Sequence, residues 1–184
     1  YEATAKGQKD SDPVLGGWSI YGSNGARTLT LVKDEDGVKS LEFDNHKGGG
    51  STIGVYQWRD QKKKFVVEAT FKYDNSVDFG IYGNSTPNDS AAIKYAGIYA
   101  GGGMAMIGSS AIMGVNAHVF YKYVMTVDPA AKNYVVEIFD MNGKQIGKSD
   151  PVELGATQGR FLCISGGFPT NLAAFKAYTV GGDE

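Results

Sequence analysis

Two tyrosines in residues 93–108, which read IKYAGIYAGGGMAMIG, stand in a pattern that could support chemistry. Tyr95 and Tyr99 are four residues apart with Gly97 between them, and alternation along a strand puts these three on one face. A phenol on such a face can transfer a proton, form a flat surface for a ligand, or pack in the core. Alternation places Lys94 on the other face, where a lysine makes an awkward core residue.

Partners for a catalytic tyrosine are scarce in this chain. Cys163 is the single cysteine and lies in the apolar run RFLCIS, where we expect a small buried hydrophobe. One cysteine excludes a disulfide framework. His46 and His118 are the two histidines, so the chain has few side chains that could bind zinc or form a nucleophilic catalytic site.

Composition limits the partners further. Charged residues make up 21% of the chain, the formal net charge is −2, and Lys and Arg are scattered apart from residues 62–64. This distribution carries no nucleic-acid footprint. We therefore expect no nucleic-acid partner. No run of 18 apolar residues occurs either, so we expect no membrane span.

The length of 184 residues suits one domain. The chain opens without an initiator Met on a polar segment, which indicates a mature or excised piece of a longer protein. We expect a linker or disordered lead-in over 1–13, a single β-sandwich domain over 14–180, and a tail over 181–184.

Strand patterns dominate the chain. Short β-branched and aromatic runs alternate with turn residues among 26 glycines, and helical periodicity is nearly absent. Such a succession is typical of an all-β sandwich or barrel. The predicted strands are 18–21, 28–33, 38–43, 51–58, 65–73, 77–83, 92–100, 103–107, 119–128, 134–140, 145–148, 160–165 and 173–180.

Turn residues predict how some strands connect. Asn142-Gly143 supplies the positive φ angles of a tight hairpin, and residues 74–76 separate two strongly patterned strands. The predicted antiparallel hairpins are 65–83 and 119–148. In the first of them, alternation assigns one apolar face to the core and leaves Glu68 and Tyr82 outside. If the hairpin is tight, these two side chains share a solvated surface.

Aromatic residues reach 12%, more than a core of this size requires, so some should be displayed. Sugar rings have apolar C–H faces fringed by hydroxyls, and tyrosine and tryptophan beside polar side chains suit such rings. The candidate ligand-binding residues are therefore an aromatic set, Trp58, Tyr82, Tyr95 and Tyr99, and polar partners, Arg59, Glu68 and Asn84.

Two loops are rich in oxygen ligands. Residues 33–37 (KDEDG) and 84–89 (NSTPND) suit either calcium or solvated turns, and neither carries a full ligand pattern. Turn chemistry is the preferred interpretation, with structural calcium as the alternative.

The order of the strand segments resembles the concanavalin A-like lectin and glucanase superfamily, including laminin-G-like and carbohydrate-binding modules. The segments GGWSIYG, FVVEATFKY, DFGIYGN, YAGIYAGGG, FYKYVMTVD, YVVEIFDMNGKQIG, FLCISGG and LAAFKAYTV carry the resemblance across nearly the whole chain. It implies an antiparallel β-sandwich of the jelly-roll type, in which the last strand packs beside the first.

Catalytic members of that superfamily provide a comparison. Laminarinase-type glucanases carry Glu-x-Asp-x-x-Glu on one strand, whereas Glu137 and Asp140 lie on opposite faces here and a second Glu is missing. Jelly-roll alginate lyases carry Tyr-Phe-Lys-Ala-Gly-x-Tyr-x-Gln. Tyr99 stands at their proton-transferring tyrosine, but Tyr95 takes the lysine position, Gly101 takes the glutamine position, and neither histidine follows Gln-x.

We therefore expect a non-catalytic carbohydrate-binding module that docks a polysaccharide on an aromatic and polar surface. It would be secreted or at the cell surface, and covalently linked to further domains of a polysaccharide-degrading protein. The alternatives are a polysaccharide lyase or glycoside hydrolase of the same fold, and a protein-binding laminin-G-like adhesive domain.

Overall fold

The computed structural model describes residues 2–4, 18–21, 27–45, 52–57, 61–83, 94–166 and 169–181. Every regular element in these ranges is a β-strand. The strands are β1 (Glu2–Thr4), β2 (Trp18–Tyr21), β3 (Arg27–Lys33), β4 (Lys39–Asn45), β5 (Thr52–Gln57), β6 (Phe65–Tyr73), β7 (Ser76–Tyr82), β8 (Lys94–Gly101), β9 (Met104–Ile107), β10 (Ser110–Met113), β11 (Tyr121–Asp128), β12 (Asn133–Phe139), β13 (Gln145–Lys148), β14 (Val152–Glu153), β15 (Phe161–Gly166) and β16 (Thr170–Thr179).

These strands form two antiparallel sheets. The nine-stranded sheet has the order β1-β3-β4-β16-β6-β11-β12-β13, with β14 also paired to β12. The seven-stranded sheet has the order β10-β9-β8-β7-β15-β5-β2. One apolar cluster contains side chains from both sheets, so the sheets pack face to face as a sandwich. The predicted all-β sandwich is confirmed.

Alternation of apolar residues builds the core as expected. In β6 the residues Phe65, Val67, Ala69, Phe71 and Tyr73 are buried, and the residues between them are mostly half-buried. The Phe71 ring stacks on Tyr123 of the neighbouring strand at 4.2 Å between centroids, and it meets Phe79 of the other sheet at 5.3 Å. Phe71 therefore joins the two sheets.

The predicted hairpin over 65–83 is wrong. β6 pairs with β11 and β16 in the nine-stranded sheet, whereas β7 pairs with β8 and β15 in the seven-stranded sheet. The turn at Asp74 carries the chain from one sheet to the other. Each strand has one apolar face, and the two faces pack against each other instead of lying side by side. Glu68 and Tyr82 consequently lie on opposite outer surfaces of the sandwich.

The second predicted hairpin is confirmed. β11 and β12 pair antiparallel from Lys122 opposite Phe139 to Asp128 opposite Asn133. β12 then pairs with β13 through a turn in which Gly143 has φ +81°. The predicted strands do not include β1, β10 and β14, which have only two to four residues each.

One core hydroxyl gives a test of this packing. Tyr123 is 1% exposed, and among the described residues its hydroxyl meets no hydrogen-bond partner, whereas the Tyr73 hydroxyl donates to the Val115 carbonyl oxygen at 2.8 Å. We expect Tyr123→Phe to raise the free energy of unfolding by about 1 kcal/mol, because it removes a buried unsatisfied group. Tyr73→Phe should lower it by about 1 kcal/mol. Denaturant unfolding of both variants measures the difference, and equal losses would contradict the assignment.

Candidate functional site

Eight residues form the outer surface of β7 and β8, which we call the β7–β8 face. The two strands pair antiparallel, with Asp78 opposite Tyr99 and Gly80 opposite Gly97. Their inward neighbours, such as Phe79 and Ile98, are 1% exposed. The face consists of Ser76, Asp78, Gly80, Tyr82, Lys94, Gly97, Tyr99 and Gly101.

A β-bulge decides which side chains reach this face. Ile81 pairs with Ala96 but Tyr82 pairs with Lys94, so Tyr95 is an extra residue in β8. The bulge turns Lys94 outward and Tyr95 into the core, where Tyr95 is 3% exposed. The expected common face of Tyr95 and Tyr99 is therefore wrong at Tyr95, because one inserted residue reverses the alternation.

Lys94 lies across a pair of facing glycines. A Cβ atom added at Gly97 would stand 2.8 Å from Lys94 Cδ, and one added at Gly80 would stand 2.7 Å from Gly97 Cα. The missing side chains thus let the two backbones approach closely and leave room for the lysine stem. Its ammonium reaches Asp78, with 2.8 Å between Nζ and Oδ1, and both side chains are at least one-third exposed. Sequence reasoning missed this ion pair, although the awkward core position of Lys94 was its signal.

Tyr99 is the exposed aromatic residue of the face, at 40%. A Cβ added at Gly101 would stand 2.7 Å from the Tyr99 hydroxyl, so the phenol lies along the strand over that glycine. Asp78 is the register partner of Tyr99 on the neighbouring strand. This side of the face offers an aromatic plane next to a carboxylate and an ammonium.

Tyr82 closes the other end of the face and is half-buried against Phe161 and Cys163. Desolvation by burial raises the pKa of the Tyr82 phenol, and the nearby Asp78 carboxylate raises it further. The Tyr82 hydroxyl is therefore held protonated and can donate a hydrogen bond, but it is a poor proton acceptor.

Cys163 of β15, which packs against Tyr82, should make the stability of the protein depend on pH. The side chain is 4% exposed, as expected of a small buried hydrophobe, and burial raises the pKa of its thiol from 9.0 to about 12. Between those pH values the folded state holds a proton that the unfolded state has lost, so the free energy of unfolding should fall as pH rises. The expected slope from this thiol approaches about 1.4 kcal/mol per pH unit. Denaturant unfolding from pH 8 to 10.5 measures it, and an unchanged slope in Cys163→Ala would contradict it.

Glu68 lies on a different surface, the outer face of the nine-stranded sheet. Its carboxylate pairs with Lys176 at 2.7 Å and with Lys122 at 3.3 Å. A shallow groove of about 490 Å³ runs beside it over β6, β11 and β12. Glu68 is thus separated by the full sandwich from Tyr82 and Tyr99. The other three candidate residues, Trp58, Arg59 and Asn84, lie outside the described residues.

The loop at residues 33–37 forms a hairpin turn. Asp34 Oδ1 accepts the Val38 amide at 2.7 Å, Asp34 and Val38 also pair through their backbones, and Lys72 lies 3.8 Å from the other carboxylate oxygen. These contacts close the turn and engage both carboxylate oxygens of Asp34, as the turn interpretation predicts. Within the described ranges, no group of three His, Cys, Asp or Glu side chains could hold a metal. Residues 84–89 lie outside those ranges.

No helix in the part of the chain that the structure describes is long and apolar enough to span a membrane. No protein-family model and no curated protein matches the sequence.

Solved structures match the fold. Peanut lectin shares 12% identity and a TM-score of 0.61, over 99% of each chain. The Ca2+/Man-bound exoplasmic/lumenal domain of VIP36 shares 9% identity and a TM-score of 0.58, over 91% of this chain and 85% of VIP36. A carbohydrate esterase of bacteriophage phi24B shares 11% identity and a TM-score of 0.57, over 98% and 97%. All three neighbours have the same architecture, and the chain therefore has the concanavalin A-like jelly-roll fold.

Proposed function

We propose that the protein is a non-catalytic carbohydrate-binding domain that docks a polysaccharide on its β7–β8 face. The observation that carries this proposal is that the exposed Tyr99 shares a face with the partly exposed Lys94–Asp78 ion pair, in which Asp78 is the register partner of Tyr99. The ring can stack against the apolar face of a sugar, while Asp78 accepts and Lys94 donates hydrogen bonds to its hydroxyls. The lectin neighbours with the same fold support this class of ligand.

The glycines make this surface suitable for a flat ligand. Gly80 and Gly97 have no side chains, so the surface between Tyr99 and Tyr82 is low. Among the described side chains of β7 and β8, only the stem of Lys94 covers it. Since Lys94 and Asp78 balance in charge, the site favours neutral hydroxyl-bearing sugars over strongly charged ones. We expect a Kd in the range of about 1 µM to 1 mM.

Affinity electrophoresis and isothermal titration against a panel of plant and microbial polysaccharides test the proposal. We expect retardation and measurable heat with at least one neutral polysaccharide. A panel on which no glycan retards the protein would contradict carbohydrate binding as the function.

A second candidate is a polysaccharide lyase, which the bulge brings back into consideration because Lys94 lies on the same face as Tyr99. A uronate carboxylate could replace Asp78 as the partner of Lys94, leaving Tyr99 to transfer the proton. Release of unsaturated uronate absorbing in the ultraviolet would establish this activity. Its absence with polyuronates, together with binding of neutral glycans, would favour the binding domain.

Calcium in the loop at residues 84–89 remains part of the proposal, supported by the Ca2+-bound neighbour and by the oxygen-rich sequence. Thermal unfolding in calcium and in EGTA tests it. A calcium-dependent rise in Tm that is lost in Asp89→Ala would support the site, and equal Tm values would exclude it.

We further propose that the domain is secreted or displayed at the cell surface, covalently attached to other domains of a polysaccharide-degrading protein. The exoplasmic/lumenal neighbour supports this setting. An antibody against the domain should detect a chain larger than 19.6 kDa in culture medium or on intact cells.

A further inference from the structure

A row of methionines extends the β7–β8 face across the edge of the seven-stranded sheet. Met106 of β9 pairs with Tyr99 on one side and with Ala111 of β10 on the other. In the next row, Met104 pairs with Gly101 and with Met113. Ala105 and Ile107, which alternate with the methionines along β9, are fully buried, so the methionines point away from the core.

This surface is apolar and accessible to solvent. Met113 is 67% exposed, Ala111 is exposed, and Met104 and Met106 are half-buried. Thioethers and methyl groups offer dispersion contacts but almost no hydrogen bonding. An unsubstituted sugar placed here would lose water from its hydroxyls without gaining partners for them.

Donors lie at the border of the methionine surface. A Cβ at Gly101 would stand 2.7 Å from the Tyr99 hydroxyl and 3.1 Å from Ser76 Cβ, so two hydroxyl-bearing side chains meet there. The border therefore combines O–H donors with the adjacent apolar surface of the methionine side chains. An ester-linked acetyl group has the complementary form, because its carbonyl oxygen accepts a hydrogen bond and its methyl group is apolar.

We infer that the preferred ligand is an O-acetylated polysaccharide whose acetyl methyl groups rest on Met104 and Met106 while Tyr99 or Ser76 donates to the acetyl carbonyl. The inference rests on the proposed binding of glycans at the β7–β8 face, and it names the substituent that this face selects. Tyr99 belongs to both surfaces, so one glycan chain contacts the ion pair and the methionines together. From β7 to β10 such a chain spans three strand spacings, about 14 Å.

Matched forms of one polysaccharide test the inference. Acetylated glucomannan and acetylated xylan are each compared with the same material after alkaline deacetylation, using isothermal titration at equal polymer length. Burial of one methyl group should make binding of the acetylated form about fourfold tighter. In the Met104→Gln/Met106→Gln variant this preference should fall to near one, with binding of the deacetylated form retained.

Met141→Gln is the matched control. Met141 is 57% exposed but lies in the turn after β12, at the nine-stranded sheet. Its replacement should leave both affinities unchanged.

The possible failures are distinguishable. Equal binding of both forms by the unmodified protein would overturn acetyl selection while leaving glycan binding intact. No binding of any form would overturn the proposed function and acetyl selection together. An equal loss of both forms in the double variant would also overturn the inference, because it assigns the methionines to the acetyl group alone.

Discussion

Gly80→Ala is expected to lower the free energy of unfolding by about 3 kcal/mol, because an added methyl group would overlap the backbone of the neighbouring strand. A Cβ atom at this position would stand 2.6 Å from the Ala96 carbonyl oxygen and 2.7 Å from Gly97 Cα. Both are backbone atoms of the facing strand, so relief requires β7 and β8 to separate. For a chain of this length, thermal unfolding should show Tm lowered by about 6–12 °C.

Gly101→Ala is the control on the same face. Its Cβ would meet the Tyr99 hydroxyl at 2.7 Å and Ser76 Cβ at 3.1 Å, both of which are side-chain atoms. The Tyr99 ring can turn aside, so we expect a loss below about 1 kcal/mol. Equal losses in Gly80→Ala and Gly101→Ala would show that the close approach of the two backbones is not what requires glycine.

Tyr99→Ala should weaken glycan binding by about 10- to 30-fold, as expected for an aromatic residue at the centre of a binding surface. Tyr99→Phe should retain most of the affinity for unsubstituted sugars, since the ring is kept. Tyr99 is exposed, so the free energy of unfolding should change by less than about 0.5 kcal/mol in either variant. Isothermal titration with the best ligand of the panel and a thermal melt measure the two effects.

Tyr178→Ala provides the matched control. Tyr178 is exposed to a similar degree, at 45%, but belongs to β16 in the nine-stranded sheet, where Lys176 lies 5.4 Å from its ring centroid. We expect unchanged glycan affinity. If Tyr178→Ala weakens binding and Tyr99→Ala does not, the glycan docks on the opposite surface of the sandwich. Turnover of a polyuronate that disappears in Tyr99→Phe would instead establish the lyase.

Local patterns in the sequence predicted much of the fold. The alternation in β6 identified its core face because side chains of a strand point to the two sides in turn. The turn between β12 and β13 followed from Asn142-Gly143, since Gly143 supplies the required positive φ. The candidate site depended on the pairing of β7 with β8, which alternation within one strand does not reveal. Alternation therefore placed Tyr95 on one face with Tyr99, whereas the structure has Lys94 on that face.

Strand content, the apolar face of each long strand and the sandwich class were determined by the sequence itself, because they follow from properties of adjacent residues. The tertiary structure alone decided which strands are neighbours and which side chains meet across them. It separated Glu68 from Tyr82 by placing β6 and β7 in different sheets. It also formed a β-bulge at Tyr95, which reverses the alternation there and brings Lys94 across the glycines to Asp78. Such a bulge depends on the pairing of two distant segments, so its effect on side-chain direction arises only when the sheet has formed.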